Sequence, residues 1–498
     1  MRVPDRRASL VAVLLLIAAV MPGPRAARAA DEGAAPTIPD TAFGVTWESV
    51  VTGTSHSCGL SNDGVAWCWG SDTFGQLGDG AVTGTRTSPV PVVMPSTTRF
   101  VGISAGGDTT CAIADVGEVY CWGSDFHGNL GDGGATNADG TRPTKVATPD
   151  GLAFSKVAVS YAHSCALTTG GDAYCWGFSY RGRLGNNVTN GTDVTSPVAV
   201  LASSVTFASI TVGTAHTCAL TMAGVAYCWG DDFTGALGNG AATGDQPVPV
   251  LVDTAGALPD TYLSLEAGDR KTCGIATGGT AWCWGLNEWG ELGRGDYDRP
   301  VSPSAVSTTD AIPDTWLAIE TSYYNTCAIA SDGTPWCWGY RGNGVVADGD
   351  ASDSTVAVPT AVSTGGGLPT SYVSLAVSEQ HACFAATDAT AWCWGNDLLG
   401  QLGDGDLPLG QNPVKADPVR VGTGRAVGWT ALAASGSHAC GIATDGSGWC
   451  WGSDANGRLG NGPGTCGTTC QLAGEGPGGM EPGPRRRVAD AGREAGHA

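Results

Sequence analysis

Cysteines at one fixed spacing are the residues of this sequence with the clearest potential for chemistry. Eight times a cysteine is followed ten residues later by the cysteine of a Cys-Trp-Gly string, and the copies begin 53 to 57 residues apart. Structural zinc sites usually hold two pairs of ligands two to four residues apart, whereas this spacing offers two sulfurs and no further ligand. The spacing therefore favours disulfides over a metal or redox site. The predicted pairs are Cys58 with Cys68, Cys111 with Cys121, Cys165 with Cys175, Cys218 with Cys228, Cys273 with Cys283, Cys327 with Cys337, Cys383 with Cys393 and Cys440 with Cys450, and the two other cysteines, Cys466 and Cys470, are predicted to pair with each other.

Histidines recur two residues before the first cysteine of a pair, which suggests either a ring of ligands or a repeated structural residue. Five of the seven histidines of the chain hold this position: His56, His163, His216, His381 and His438. The other three copies carry Thr109, Lys271 and Asn325, which form hydrogen bonds but do not share the ligand chemistry of imidazole. The substitution pattern favours the structural role, in which the side chain holds the preceding turn.

Aspartates recur in the loops after the tryptophan, where calcium is an open alternative. They are Asp72, Asp79, Asp125, Asp132, Asp348, Asp350, Asp404 and Asp406. Calcium takes six to eight oxygen ligands, and no segment of the sequence matches a known calcium-loop pattern. Aspartate before glycine is a common turn residue, so the sequence predicts no cofactor and leaves calcium in single loops undecided.

Residues that break the repeat are the candidates for function, since nearly every other polar residue belongs to the pattern. They mix aromatic rings with arginine, which is typical of protein-contact surfaces. No nucleophile, base and orienting group stand out together, so the sequence predicts no enzyme. The candidate binding residues are Tyr180, Arg181, Arg183, Trp289, Arg294, Tyr297, Tyr340 and Arg341.

Each repeat must position these residues on short strands. An aromatic residue lies eleven residues before the first cysteine in every copy, as at Trp47, and aromatic and β-branched runs bounded by glycine predict strands. A glycine six residues after the first cysteine, as at Gly64, predicts a three-residue hairpin loop closed by a bulge. In that register Cys58 lies opposite Cys68 on a non-hydrogen-bonded rung, where side chains are closest. One cross-strand disulfide per repeat follows.

The third strand of each repeat carries apolar side chains on both faces, which decides how the copies assemble. In Ala66-Trp67-Cys68-Trp69 both tryptophans point to one side of the sheet and Cys68 to the other. A leucine such as Leu77 then anchors the following loop, and a proline-containing strand such as Pro89-Val90-Pro91 must lie at the sheet edge. Radial stacking of four-stranded sheets covers every face at once. The sequence therefore predicts an all-β propeller of eight four-stranded antiparallel blades, with seven blades as the alternative.

The ends of the chain and its net charge limit the cellular compartments and partners to be expected. Residues 1–30 combine arginines, a 13-residue apolar run and small residues, which predicts a cleaved secretory signal. Residues 31–44 are predicted to be an N-terminal segment in which 33–42 complete the last blade, 45–462 are predicted to form the propeller, and 463–498 are predicted to form a disordered Gly/Pro/Arg-rich tail. The net charge of −22 argues against nucleic acid and anionic membranes as partners, and no segment after residue 30 is apolar enough for membrane insertion.

The repeat resembles that of the regulator-of-chromosome-condensation family. The resemblance lies in strings such as Gly213-Thr-Ala-His216-Thr-Cys218-Ala-Leu220, followed by Gly224, Tyr227, Trp229-Gly230 and Gly235-Ala-Leu237-Gly238, and covers residues 45–462. It implies a β-propeller, usually of seven blades. It also implies guanine-nucleotide exchange on a nuclear GTPase, which the export signal, the disulfides and the acidic charge make a poor expectation here. Secreted bacterial propellers that inhibit β-lactamases and plant receptor ectodomains are the nearer analogies within the family.

These observations favour a secreted or periplasmic, non-catalytic scaffold that binds an extracellular or periplasmic protein, for example as an inhibitor. A carbohydrate-binding module is the alternative, because Trp289, Tyr297 and Tyr340 are loop aromatics that suit a glycan. Hydrolysis or elimination on cell-wall polysaccharides is a third hypothesis.

Overall fold

A computed structural model describes the propeller and not the chain ends. The described residues are 45–460 without 96–97, 243, 309–310, 364–367, 406–412 and 423–427. The predicted signal, the segment 31–44, the tail and the predicted pair of Cys466 and Cys470 lie outside them. Among the described residues no helix has the length and apolar character needed to cross a membrane.

Eight antiparallel sheets form the blades of a propeller, which confirms the predicted architecture. In seven blades the four strands follow each other in chain order from the inner to the outer edge, and blade 8 has three strands within the described residues. Blades 1 to 4 consist of β1 Trp47–Thr52, β2 His56–Ser61, β3 Ala66–Asp72 and β4 Gly84–Pro91; β5 Phe100–Gly106, β6 Thr109–Ala114, β7 Val119–Gly123 and β8 Gly140–Lys145; β9 Phe154–Val159, β10 His163–Thr168, β11 Ala173–Phe178 and β12 Asp193–Ala199; β13 Ser209–Val212, β14 His216–Leu220, β15 Ala226–Gly230 and β16 Gln246–Leu251.

Blades 5 to 8 repeat the same order. They consist of β17 Tyr262–Ala267, β18 Lys271–Ala276, β19 Ala281–Gly285 and β20 Ser304–Ala305; β21 Trp316–Thr321, β22 Asn325–Ala330, β23 Pro335–Tyr340 and β24 Thr355–Ala361; β25 Tyr372–Val377, β26 His381–Ala386, β27 Ala391–Asn396 and β28 Val414–Arg420; β29 Trp429–Ser435, β30 His438–Ala443 and β31 Gly448–Gly452. Within the described residues, three short 3₁₀ turns lie in the loops after the third strands, at Phe126–Gly128, Tyr180–Gly182 and Ala455–Gly457.

The central hairpin of each blade has the predicted register. Cys58 lies opposite Cys68, and Gly64 closes the turn with a φ of +81°. Ala389 holds the glycine position in blade 7 and adopts the same left-handed conformation, with a φ of +70°. The hairpin geometry is therefore kept even where the turn residue carries a Cβ atom.

Each hairpin carries its predicted cross-strand disulfide. The paired cysteines have Cα atoms 4.1 Å apart in every blade, which is the close approach of a non-hydrogen-bonded rung. The described residues contain no free cysteine. The bonds join Cys58 to Cys68, Cys111 to Cys121, Cys165 to Cys175, Cys218 to Cys228, Cys273 to Cys283, Cys327 to Cys337, Cys383 to Cys393 and Cys440 to Cys450.

The hydrophobic core is divided among the seams between neighbouring blades. In the first seam Cys58, Leu60 and Cys68 of blade 1 pack against Phe100 and Trp122 of blade 2. The same arrangement recurs around the ring, so the two faces of each sheet are covered by different neighbours. This is the physical reason that a third strand apolar on both sides is stable here.

The ring closes by contact between blade 8 and blade 1. Trp47 and Trp69 of blade 1 pack with Cys440 and Ile442 of blade 8. The Trp69 indole Nε1–H donates to the backbone carbonyl of Arg458 at 2.9 Å. The seam therefore forms without a fourth strand of blade 8 among the described residues, and the prediction that residues 33–42 supply that strand falls outside them.

Candidate functional site

The recurring histidines join neighbouring blades. His56 Nε2 lies 2.7 Å from the Thr110 hydroxyl of the next blade, and His216 Nε2 lies 2.9 Å from that of Thr272. His438 closes the circle through Ser57 at 2.9 Å. The imidazoles are fully buried, and desolvation lowers the pKa of His56 and of His216 to about 4, so both are neutral near pH 7.

The expectation that these histidines hold the preceding turn describes only part of their role. His381 Nδ1 does contact the turn, at 2.8 Å from the Ser378 hydroxyl, but its Nε2 has no hydrogen-bond partner among the described residues. The reason is that Ala439 occupies the place of the bridging hydroxyl in blade 8. The substitutes also make structural bonds: Lys271 donates to the carbonyl of Tyr323 at 3.0 Å, and Asn325 donates to that of Tyr340 at 2.7 Å.

Loop aspartates serve as internal caps for the long loops. Asp72 is buried, and its carboxylate accepts from the backbone N–H of Leu77 at 3.3 Å and of Thr83 at 3.0 Å. Asp125 accepts in the same way from Leu130. Burial raises the pKa of Asp125 to about 6. Among the described residues no three His, Cys, Asp or Glu side chains are placed to hold a metal ion.

The loops divide between two faces of the propeller because antiparallel strands return the chain to the same end every second strand. The inner turns, between first and second strands, and the long loops, between third and fourth strands, share one end, which we call the loop face. Ser71 N donates to Ser55 O at 2.9 Å across these two loops. The hairpin turns and the connections between blades share the other end, the turn face, where Phe100 N donates to Gly64 O at 2.9 Å.

Candidate residues of blade 3 lie together on the loop face. The Arg181 guanidinium lies 5.3 Å from the Tyr180 ring centroid and forms an ion pair of 2.7 Å with Asp231. Arg183 is buried instead, and it donates to the carbonyls of Tyr180 and Thr214. Tyr180 is therefore exposed and Arg181 is partly exposed within an ion pair, whereas Arg183 is a structural residue.

Candidates of blades 5 and 6 form a second group. The Trp289 ring lies 5.0 Å from that of Tyr340, measured between centroids, and both pack against Tyr324. Rings this close support one another edge to face and leave no flat face free between them. Among the arginines, Arg294 pairs with Asp296 and Arg341 pairs with Asp348.

Tyr297 stands apart from that cluster. Its ring is exposed, and its hydroxyl bonds that of Thr355 at 2.6 Å. The eight candidate residues thus share one face but do not form a single site.

Additional aromatic residues on the loop face escape the sequence pattern. Phe126 and Phe233 hold the same position of the long loop as Tyr180, fifteen residues after the first cysteine of each copy, and Phe233 is 73% exposed. Leu398 holds that position in blade 7 and is also exposed. The sequence contains a signal for these residues. When the copies are aligned, the same loop position carries an apolar residue in several of them, and a side chain at this position cannot reach the core. A rim of exposed apolar side chains results.

Inner turns contribute tyrosines to the same face. Tyr161 is 63% exposed, and the Tyr323 ring is partly exposed and packs on Tyr324 at a centroid distance of 4.5 Å. Exposed aromatics grouped on one end are typical of an interaction surface.

Comparison with known protein families shows which repeat this chain resembles. A model of the regulator of chromosome condensation (RCC1) repeat matches residues 63–113, 116–167 and 170–220, and a second model of this repeat matches 47–76, 100–129 and 154–183.

Similar proteins extend the match over most of the chain. The ultraviolet-B receptor UVR8 of Arabidopsis thaliana is 29% identical over 359 residues, which are 72% of this chain and 78% of the receptor. The mitochondrial RCC1 domain-containing protein RUG3 of the same plant is 29% identical, with coverages of 71% and 81%. The human E3 ubiquitin-protein ligase HERC2 is 27% identical over 74% of this chain, and the match spans only 8% of the ligase.

Solved structures show the same fold at low sequence identity. The human WBSCR16 structure superposes with a TM-score of 0.57 at 20% identity and covers 69% of this chain and 88% of that one. Yeast RCC1 (Prp20), solved bound to Kap60, superposes with a TM-score of 0.55 at 18% identity, with coverages of 84% and 95%.

Proposed function

We propose that this chain, whose repeats match the regulator of chromosome condensation (RCC1) repeat, is a secreted, non-catalytic scaffold whose loop face binds another protein. The observation that carries the proposal is the rim of exposed apolar side chains on the loop face, with Phe126, Tyr180 and Phe233 at one repeat position on three successive blades. Apolar anchors supported by a rigid frame are the usual energetic centre of a protein interface.

The non-catalytic part of the proposal rests on where the titratable groups lie. His163, His216 and His438 have strongly lowered pKa values because burial disfavours their charged form. They face hydroxyl groups of the neighbouring blade within closed seams, so they have no route to a substrate. Their shifts follow from the architecture of the ring rather than from a reactive cleft.

Export is the second part of the proposal. Eight buried disulfides suit an oxidising compartment, and residues 1–30 have the composition of a cleaved signal. The intact mass of the protein purified from the medium or periplasm of its native cells tests this point. Export predicts a mass that lacks about 30 N-terminal residues, and a full-length cytoplasmic product would contradict it.

Binding is tested by comparing two triple variants that truncate exposed apolar side chains on opposite faces. The loop-face variant is Phe126→Ala, Tyr180→Ala and Phe233→Ala. The turn-face control is Val101→Ala, Met222→Ala and Val373→Ala, which are exposed on the other end. Proteins retained from the native extracellular fraction by the wild type should also be retained by the control and lost by the loop-face variant. Equal retention by all three forms would contradict the proposal.

A further inference from the structure

The loop-face end of the central channel opens into a cavity of about 650 Å³, which we call the axial mouth. Its wall is made by the inner turns and adjacent strand ends of blades 1 and 3 to 8, so the repeat itself builds the opening. Most of these positions carry small or apolar residues such as Gly213, Gly268 and Ala434. The few large or charged residues in the wall therefore define its chemistry.

Two carboxylates and two tyrosines stand out in that wall. Asp269 of blade 5 and Glu379 of blade 7 lie on either side of Tyr323 of blade 6, and Tyr161 of blade 3 lies across the opening. Among the described residues that line the cavity there is no lysine or arginine. The axial mouth is thus acidic and aromatic.

The carboxylate of Asp269 is mostly buried and its hydrogen bonding is incomplete. Its side chain is only 12% exposed, and its buried Oδ2 has no hydrogen-bond partner among the described residues. The nearest cation is the Arg270 Nε at 3.9 Å, on a side chain that is half exposed to solvent. A buried carboxylate oxygen without a donor is costly. The buried Lys271 interacts electrostatically with Asp269, and a cationic group that enters the mouth would add to this attraction once the carboxylate turns toward it.

Three arginines with side chains on the loop face do not offset this charge, because each is paired with a carboxylate of this chain. Arg181, Arg294 and Arg341 form ion pairs within the chain. Exposed carboxylates such as Asp298 and Asp353 have no ion pair within 4.0 Å among the described residues. Together with a net charge of −22, this leaves the loop face with excess negative charge, which attracts basic surfaces.

From this geometry we propose that the axial mouth receives a lysine or arginine side chain from a basic segment of the protein partner. The proposal rests on the loop-face scaffold function and names the chemistry of its partner. The carboxylates of Asp269 and Glu379 would accept hydrogen bonds from the cationic head group, as charge-assisted pairs do. The exposed rings of Tyr161 and Tyr323 offer faces on which a cation and its aliphatic stem can lie.

A labelled peptide tests this chemistry without knowledge of the natural partner. The probe is a fluorescein-labelled decapeptide of alternating lysine and serine, and fluorescence anisotropy measures its Kd for the intact protein at low salt. The axial-mouth variant combines Asp269→Asn with Glu379→Gln. The control combines Asp332→Asn with Asp388→Asn, which removes the same charge from the turn face and preserves the turn hydrogen bonds that these side chains accept from Thr334 and Thr390.

We expect the axial-mouth variant to bind the peptide about fivefold more weakly than the wild type and the control to change Kd less than about twofold. A Tyr161→Ala variant, which alters no charge, is expected to weaken binding about twofold. Equal weakening by the charge variants of both faces would assign the attraction to overall charge and overturn the proposal. Displacement of the peptide by Mg²⁺ through Asp269 and Glu379 would assign a metal site and overturn it too.

The peptide experiment and the retention experiment fail separately. One outcome is that the loop-face triple variant loses the native proteins while the axial-mouth variant binds the peptide with the same Kd as the wild type. In that case the scaffold function stands and the basic-partner proposal falls. If the peptide binds at the axial mouth but no native protein distinguishes the two triple variants, the scaffold function falls instead.

Discussion

The seams between blades and the loop face are built from the same repeat, but residue types are kept in the seams and vary on the loop face. In the seams, every blade places a disulfide, a tryptophan and a hydrogen-bonding side chain at fixed positions, and these groups are buried. On the loop face, the position fifteen residues after the first cysteine varies among the blades and carries exposed apolar residues in several of them, such as Phe126, Tyr180 and Phe233. Stability is therefore distributed around the ring, whereas the proposed recognition surface lies at one end.

This division shows why substitutions should separate stability from binding. The Trp229 indole donates to the carbonyl of Arg183 in the neighbouring blade at 3.0 Å, and equivalent bonds tie other tryptophans to the preceding blade. Changes in a seam alter two blades at once but leave the long-loop surface in place. Changes at the rim remove exposed area that contributes little to folding.

The largest stability effect is expected from removal of one disulfide. Replacing Cys218 and Cys228 by alanine opens a loop with a sequence separation of 10, and the chain-entropy model gives a loss of about 3 kcal/mol. Chemical denaturation of the wild type and the double variant measures the difference. A loss below about 1 kcal/mol would mean that the seam packing, and not the crosslink, holds the hairpin.

The next prediction concerns the hydrogen bond from a histidine Nε2 to a hydroxyl of the next blade, which is present at His216 and, within the described residues, missing at His381. Thr272→Val leaves His216 Nε2 without its partner inside a closed seam, so we expect a loss of about 1–2 kcal/mol. Ala439→Ser supplies the hydroxyl that His381 lacks and should stabilise the protein by about 1 kcal/mol. Denaturation curves measure both, and a destabilising Ala439→Ser would refute the bridge as the reason for the pattern.

Glu320 offers a pH-dependent test of the inner strands. Its carboxylate accepts from Val377 N at 3.0 Å, and desolvation, with a further effect from Glu266, raises its pKa to about 8. The folded state therefore holds a proton that the unfolded state releases between about pH 4.5 and 8, and stability falls as pH rises through this window.

Glu320→Gln removes that titration, so we expect its Tm to exceed that of the wild type by about 2 °C at about pH 9 and the gain to shrink toward about pH 4.5. Thermal melts across this pH range measure the difference, with Glu48→Gln as an exposed control. A gain that is independent of pH would contradict the assignment.

The smallest expected effect concerns the hairpin turn of blade 7, which has alanine instead of glycine at its bulge. Ala389 has a φ of +70°, a conformation that costs a residue with a Cβ atom more than it costs glycine. Ala389→Gly should stabilise the protein by about 0.5 kcal/mol. The matched reverse change, Gly279→Ala, places the same left-handed strain in blade 5, where a Cβ atom would come no closer than 3.2 Å to its neighbours. It should destabilise the protein, and the opposite order of stabilities would refute the strain.

The sequence predicted the blades in detail and the surface only in part. Fixed spacing placed Cys58 opposite Cys68, and apolar residues on both sides of the third strand required neighbours on both faces. The bridge from His216 to Thr272 was not predictable, because it joins residues 56 positions apart whose proximity depends on the angle between blades. The axial mouth was missed for the same reason, since no single repeat contains both Asp269 and Glu379.

Arg183 is a residue that the sequence suggested for binding and that the structure buries. It breaks the repeat as strongly as Arg181 does, but it points inward to bond backbone carbonyls. Composition alone cannot separate a loop arginine that stabilises its own loop from one that faces solvent.

Hydroxyl-radical footprinting of the propeller bound to the proteins that it retains from the native extracellular fraction tests the central claim most directly. The account predicts protection of Phe126, Tyr180 and Phe233 on the loop face and unchanged oxidation of Met222 on the turn face. Protection of Met222 with unchanged oxidation of the loop-face rings would contradict it.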